Sequence, residues 1–198
     1  MIRLLEGKLE GERMKNKLII IGSGGHGRMA AEIAKQLGNY QIIAFLDDGY
    51  AADNVLFPII SRKILFHEEQ CSEYDFFVAD TNSCTRQQLM ENLKVDFITL
   101  IHPTAIIGSN VTIGQGSIVM PGAIINVGAQ IGQGVILNTA CSVGYDCQVG
   151  DYSHVSTGAH LDGNVELDPH TWVAAGTVVT NDYRQAGIYV GPPAKKRR

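Results

Sequence analysis

The second half of the chain is patterned in sixes. From Ile101 an aliphatic residue returns at every sixth position: Ile101, Ile107, Ile113, Val119, Ile125, Ile131, Leu137, Val143, Val149, Val155, Leu161, Leu167, Val173 and Val179. The next position is often Gly, Asn or Asp, as at Gly108, Gly114, Asn126, Gly132, Asn138, Gly144, Gly150, Asp162 and Asp168. The fifth position is small or β-branched throughout, from Ala105 and Val111 to Thr171 and Thr177, and it includes Cys141 and Cys147. Such a period fits neither a helix, at about 3.6 residues, nor an alternating strand, at about 2. It fits a solenoid of short flat strands and tight turns, in which three hexapeptides close a triangular coil of about 18 residues. The aliphatic residue then points inward and the small fifth residue fills a narrow interior. The Gly, Asn or Asp supplies unusual backbone angles. Cys141 and Cys147 read as interior residues rather than nucleophiles.

The first half has a different rhythm. Lys17–Ile21 is a short buried-strand pattern, followed at once by Gly22-Ser23-Gly24-Gly25-His26-Gly27. Met29, Ile33 and Leu37 recur at helical spacing and predict a helix that stops near Gly38. Gln41–Leu46 predicts a second strand, ending in Asp47-Asp48. A strand from Tyr74 to Ala79, a helix from about Ser83 to Leu93 and a strand from Phe97 to Ile101 complete a small Rossmann-like α/β unit. No clear pattern covers the stretch from Gly49 to Cys71. The reading divides the chain into an N-terminal extension (1–14), an α/β front domain (15–100) and a β-helix with its C-terminal tail (101–198).

A glycine-rich turn between strand and helix, with acids about twenty residues further on, can place phosphates at a helix N-terminus and spend a carboxylate on a ribose or base. The same glycines also suit a tight strand-to-helix turn with no ligand. The front unit is too small for a dinucleotide-binding oxidoreductase.

Composition narrows the field further. The net charge of −4 over 198 residues gives no reason to expect a nucleic-acid partner. No apolar run reaches the roughly 20 residues that span a bilayer, and residues 1–14 lack the apolar core of a signal peptide. The four cysteines form no C-x-x-C pair, which fits reduced thiols in the cytoplasm. No His, Cys or Asp cluster has metal-ligand spacing, so no metal is expected.

The hexapeptide run resembles the hexapeptide-repeat acyltransferases, and Gly191-Pro192-Pro193-Ala194-Lys195 is similar to their Gly-x-Pro-Ala-Lys ending. That resemblance implies a left-handed parallel β-helix, a homotrimer, and acyl-CoA sites between neighbouring helices. With the front domain included, the chain from Lys17 to Lys195 resembles the sugar acyltransferases of the sialic-acid O-acetyltransferase family, which includes the bacillosamine and perosamine N-acetyltransferases. The implied activity is transfer of an acetyl group from acetyl-CoA to an amino or hydroxyl group of a nucleotide-linked sugar, for surface glycan or exopolysaccharide. The implied nucleotide-sugar residues are Gly22, Gly24, Gly25, His26, Gly27, Asp47 and Asp48. The implied acetyl-CoA residues are His154, Gly163 and Ala175.

Acyl transfer needs a base for the acceptor proton and a donor for the developing oxyanion. In the related N-acetyltransferases the base is the His of a His-Glu pair in Asn-Thr-x-x-x-x-x-His-Glu-Cys, followed by Ser-His-Val-Ser. Here Asn138-Thr139 and Cys147 keep the frame, and Ser153-His154-Val155-Ser156 follows, but Tyr145 and Asp146 stand at the pair. A phenol, with an ordinary pKa near 10, is a poor base at neutral pH. Three readings follow: an acetyltransferase that uses another group, such as Asp146 or water, or relies on an amine already partly deprotonated; a natural or engineered low-activity form with intact binding sites; or a nucleotide-sugar-binding scaffold without catalysis. The C-terminal run after Leu167 is also about one coil shorter than in the bacillosamine-type enzymes.

Overall fold

The computed structural model describes residues 3–4, 17–40, 42–47, 59–60 and 74–197. They fall into two compact units, Met1–Gly7 with Thr99–Arg198, and Lys8–Ile98.

The larger unit is a left-handed parallel β-helix. Its short strands stack one coil apart in register, so that Ile124 lies beside Ser142 and Ser142 beside His160. Successive strands fall on three sheets in turn: Ser142–Val143 on one, Gln148–Val149 on the next and His154–Val155 on the third. Arg3–Leu4, from the expected N-terminal extension, pairs in parallel with Thr112–Ile113 and extends the second of these sheets. At the other end, Gly187–Val190 pairs antiparallel with Lys195–Lys196.

The hexapeptide pattern maps onto this helix directly. The first and fifth positions form one continuous core, including Val143, Val149, Val155, Cys141, Cys147 and Ala159. At Ser117, Cys147 and Ser153 the polar fifth position is satisfied by one repeated bond to the next coil. Ser117 Oγ donates to the Gly132 carbonyl at 2.9 Å, Cys147 Sγ to the Asp162 carbonyl at 3.0 Å, and Ser153 Oγ to the Asp168 carbonyl at 3.2 Å. A buried donor without such a partner would be costly. Burial also pushes the Cys141 thiol up to about 12, which leaves it almost wholly protonated.

The unusual backbone angles sit at the fourth position, not the second. Asn110, Ala140, Asp146, Asn164 and His170 all have positive φ, between 53° and 62°. The second-position glycines answer a different need. A Cβ on Gly108 would sit 2.6 Å from the backbone nitrogen of Val127, because the next coil passes directly over it. Coil stacking selects glycine there, and the tight corner selects the left-handed residue two positions later.

The smaller unit carries a parallel sheet in the order Ile59–Ile60, Ile42–Leu46, Lys17–Ile21, Asp75–Val78. Helix α1 spans Gly25–Leu37 and helix α2 spans Ser83–Asn92. The buried face of α1 is Gly27, Ala30, Ala31, Ile33 and Ala34. The apolar stripe expected from the sequence meets that face only at Ile33, since Met29 is 40% exposed. Small side chains let the helix lie close to the sheet, and Gly38, with φ 70°, ends it. The expected strand from Phe97 to Ile101 also divides: Phe97 bridges to Phe76, whereas Leu100–Ile101 pairs with Ile118–Val119 of the β-helix.

Candidate functional site

In the front domain the site residues gather at the start of α1. Strand Lys17–Ile21 runs into Gly22, whose φ is 105° and where a Cβ would sit 2.9 Å from the Ala79 carbonyl oxygen. A Cβ on Gly27 would run into the carbonyl oxygen of Gly22. These two glycines are therefore required by the turn and by close packing of the helix. Gly24 and Gly25 are not, because a Cβ at either would meet nothing within 4 Å. They leave open space at the first turn of a thirteen-residue helix whose N-cap, Gly24, uses no side chain. The free N–H groups and the dipole there favour a negatively charged group.

Asp47 closes the turn from the neighbouring strand. Its Oδ2 accepts the Ser23 N–H at 2.9 Å and the Ser23 hydroxyl at 2.7 Å. Asp48 lies outside the described residues. His26 sits in the first turn of α1, with its Nε2 buried and no hydrogen-bond partner on that atom. Desolvation, the Arg86 guanidinium and, in opposition, the Asp80 carboxylate leave its pKa at about 4, so the ring is neutral at pH 7. Arg86, 1% exposed, shares the buried side of α2 with Met90 and donates to the Asp80 carbonyl at 2.7 Å. No pattern in the sequence signals this buried cation, because α2 has no apolar stripe around it.

In the β-helix the site residues lie at separate places. Tyr145 and Asp146 form the corner between strands Ser142–Val143 and Gln148–Val149. The Tyr145 ring lies over Gly163, the equivalent corner one coil on, and a Cβ at Gly163 would run into it. The Tyr145 carbonyl accepts the Asn164 N–H at 2.8 Å. Tyr145 itself is 52% exposed. Asp146 occupies a left-handed corner position, its N–H donating to the Val127 carbonyl.

His154 is on the third sheet. It points outward, as its place in the hexapeptide predicts, yet it is only 9% exposed. Trp172, its partner one coil on, stacks on it with ring centroids 5.6 Å apart and planes within 8°. Asn138 Nδ2 lies 3.2 Å from His154 Nε2 on the other side, and Trp172 Nε1 donates to Ser156 Oγ at 2.7 Å. Ala175 is exposed at the corner beyond Trp172. Within one chain, Gly163 is thus brought to Tyr145, while His154 and Ala175 belong to another side of the helix. The one-coil spacing from His154 was the signal that could have found Trp172. Among the described residues, no group of three His, Cys, Asp or Glu side chains is placed to hold a metal, and no helix is long and apolar enough to cross a membrane.

These two units, an α/β fold with an open helix N-terminus and a left-handed hexapeptide β-helix, define the class of hexapeptide-repeat acyltransferases. Residues 17–93 match the PglD N-terminal domain family. The chain is 35% identical over 111 residues to UDP-N-acetylbacillosamine N-acetyltransferase of Bacillus subtilis (strain 168), covering 53% of this chain and 51% of that enzyme. The aligned region is thus about half the length of that relative. The acetyltransferase domain of PglB from Neisseria gonorrhoeae FA1090, solved in complex with acetyl coenzyme A, superposes with a TM-score of 0.82 at 34% identity, covering 92% of this chain and 100% of that one. PerB from Caulobacter crescentus, solved with CoA and GDP-perosamine, superposes with a TM-score of 0.75 at 26% identity, covering 92% of this chain and 97% of that one. The chain belongs to the sugar acyltransferase family of the bacillosamine and perosamine N-acetyltransferase type.

Proposed function

We propose that this protein transfers an acetyl group from acetyl-CoA to an amino, or else hydroxyl, group of a nucleotide-linked sugar, and so feeds synthesis of a surface glycan or exopolysaccharide. The observation that carries the reading is the open helix N-terminus at Gly24 and Gly25 in the same chain as the hexapeptide β-helix. Neither glycine is needed by the fold, and a diphosphate is the part of a nucleotide sugar that such a site would hold. Gly22 and Gly27 shape that turn, Asp47 braces it through Ser23, and His26 lies beneath it. Asp48 would supply a carboxylate to the nucleoside.

Acetyl-CoA takes the β-helix. His154, held in place by Trp172 and Asn138, and the main chain at Gly163 and Ala175 would line its arm. Tyr145 and Asp146 stand at the acceptor end, where the Tyr145 ring over Gly163 narrows the site. Because His154 and Tyr145 lie on different sides of one helix, a complete site needs two copies. Exposed apolar residues beside the Tyr145 corner, Ile106 (62%), Ile124 (38%) and Val127 (49%), support a homotrimer that buries them. Both substrates are made in the cytoplasm, which is where the reading places the protein.

The test is release of CoA thiol from acetyl-CoA by the full chain, against a panel of UDP- and GDP-linked amino sugars. Release that requires both substrates is expected. Asp47→Ala should weaken nucleotide-sugar binding at least about tenfold by calorimetry and leave acetyl-CoA binding unchanged. No affinity of the parent for any nucleotide sugar would remove the sugar and leave an acyltransferase for another acceptor.

A further inference from the structure

The Tyr145 corner lacks an imidazole, but the strand leading into it does not lack one nearby. Ser142 and His160 sit side by side in register on adjacent strands, and Ser142 Oγ shares a 2.8 Å hydrogen bond with His160 Nδ1. Ser142–Val143 leads into the Tyr145 turn, and His160–Leu161 leads into the Gly163 turn on which the Tyr145 ring rests. The pair therefore lies on the outward face that borders the expected acceptor end.

Two further features mark it as more than surface decoration. The outward positions of this sheet are Ile106, Ile124, Ser142, His160 and Val178, so the two polar side chains are neighbours within an otherwise aliphatic column. Packing of the solenoid has no use for them, since its interior is built from the first and fifth positions. The other histidines of the β-helix are differently engaged. His102 is buried with its Nδ1 2.8 Å from Thr104 Oγ1, His154 is stacked on Trp172, and His170 is stacked on Tyr152. His160 is the exposed one among them.

We propose that His160 is the base that removes the acceptor's proton, with Ser142 as its positioning residue; this rests on the acetyl-transfer reading above. With Nδ1–H donating to Ser142 Oγ, the lone pair lies on Nε2 of this exposed ring. The acceptor amine attacks the thioester carbonyl carbon, a C–N bond forms, and the amine proton passes to Nε2. The tetrahedral oxyanion collapses, the C–S bond breaks, and the imidazolium returns its proton to the departing CoA thiolate. An amide and a CoA thiol result, with the base restored.

The experiment uses the full chain, with thiol release as the readout and calorimetry with acetyl-CoA as the control for folding and binding. His160→Asn is expected to lower kcat at least about 100-fold with acetyl-CoA affinity kept. His160→Gly is expected to regain part of that loss when free imidazole is added, which a merely structural role would not allow. Ser142→Ala should lower kcat about tenfold with KM unchanged, and Ser142→Thr should restore it. An active parent whose His160→Asn variant stays within about threefold, or a His160→Gly variant indifferent to imidazole, overturns the base alone. A parent that releases no CoA with any nucleotide-linked sugar overturns the acetyl-transfer reading and the base with it.

Discussion

The front domain and the β-helix bury their cores by opposite means. In the β-helix every coil repeats the same solution. A short strand pairs with the strand one coil away, and small or aliphatic side chains fill a narrow prism. In the front domain each contact is made once. Ile19 lies between Ala44 and Phe76, brought from distant parts of the chain, and the fully buried side chains include Phe45, Phe77 and the cation Arg86. Repetition makes the helix regular, so the polar interior positions Ser117, Cys147 and Ser153 share one hydrogen-bond pattern. The front domain has instead a few unrepeated contacts, and its ionisable groups are tuned individually.

The largest expected effect breaks the repeat. Val143→Asp places an unpaired carboxylate in the prism, where Val143 is 0% exposed. It should cost more than about 4 kcal/mol, read as a collapse of the urea midpoint or as loss of folded protein. The same loss is expected at any first position from Ile125 to Leu161. A position there that tolerates Asp would show that the coils are not equivalent.

The next effect separates the two regions by pH. Folded His26 titrates at about 4 instead of 6.5, held down by desolvation and then by Arg86. Between those values the unfolded chain binds a proton that the folded front domain refuses. Stability is therefore full above about pH 7 and is lost as the pH falls, by about 3 kcal/mol near pH 4. Burial raises the thiols of the β-helix, so their contribution is lost on the alkaline side and not in this window. Urea unfolding at pH 7 and pH 5 should show it for the parent, and His26→Gln should flatten the difference. An equally steep acid loss in that variant would place the proton elsewhere.

The smallest effect tests the glycine turn. Gly27→Ala should destabilise the front domain by roughly 1–3 kcal/mol, because its Cβ collides with the Gly22 carbonyl. Gly25→Ala, facing open space at the helix start, should change stability by less than about 1 kcal/mol in the same melts. Its effect should fall instead on nucleotide-sugar affinity. Equal destabilisation by both would mean that the turn is shaped by packing throughout.

How far the sequence could be read follows the same division. The six-residue period fixed the solenoid, its interior positions and the neighbours one coil apart, including Ser142 beside His160. It did so because a repeat turns sequence spacing directly into spatial spacing. In the front domain the strand–glycine–helix order was legible from local pattern, and so were Asp47 and the stop at Gly38. Tertiary structure decided the rest. It decided that alanines rather than Met29 face the sheet, that Arg86 is buried beside His26, and that Gly22 and Gly27 serve packing while Gly24 and Gly25 stay open. It also decided that Phe97 stays with the front domain while Leu100 joins the solenoid. Each of these depends on which distant segment comes to lie against the residue, and a single local pattern carries no record of that.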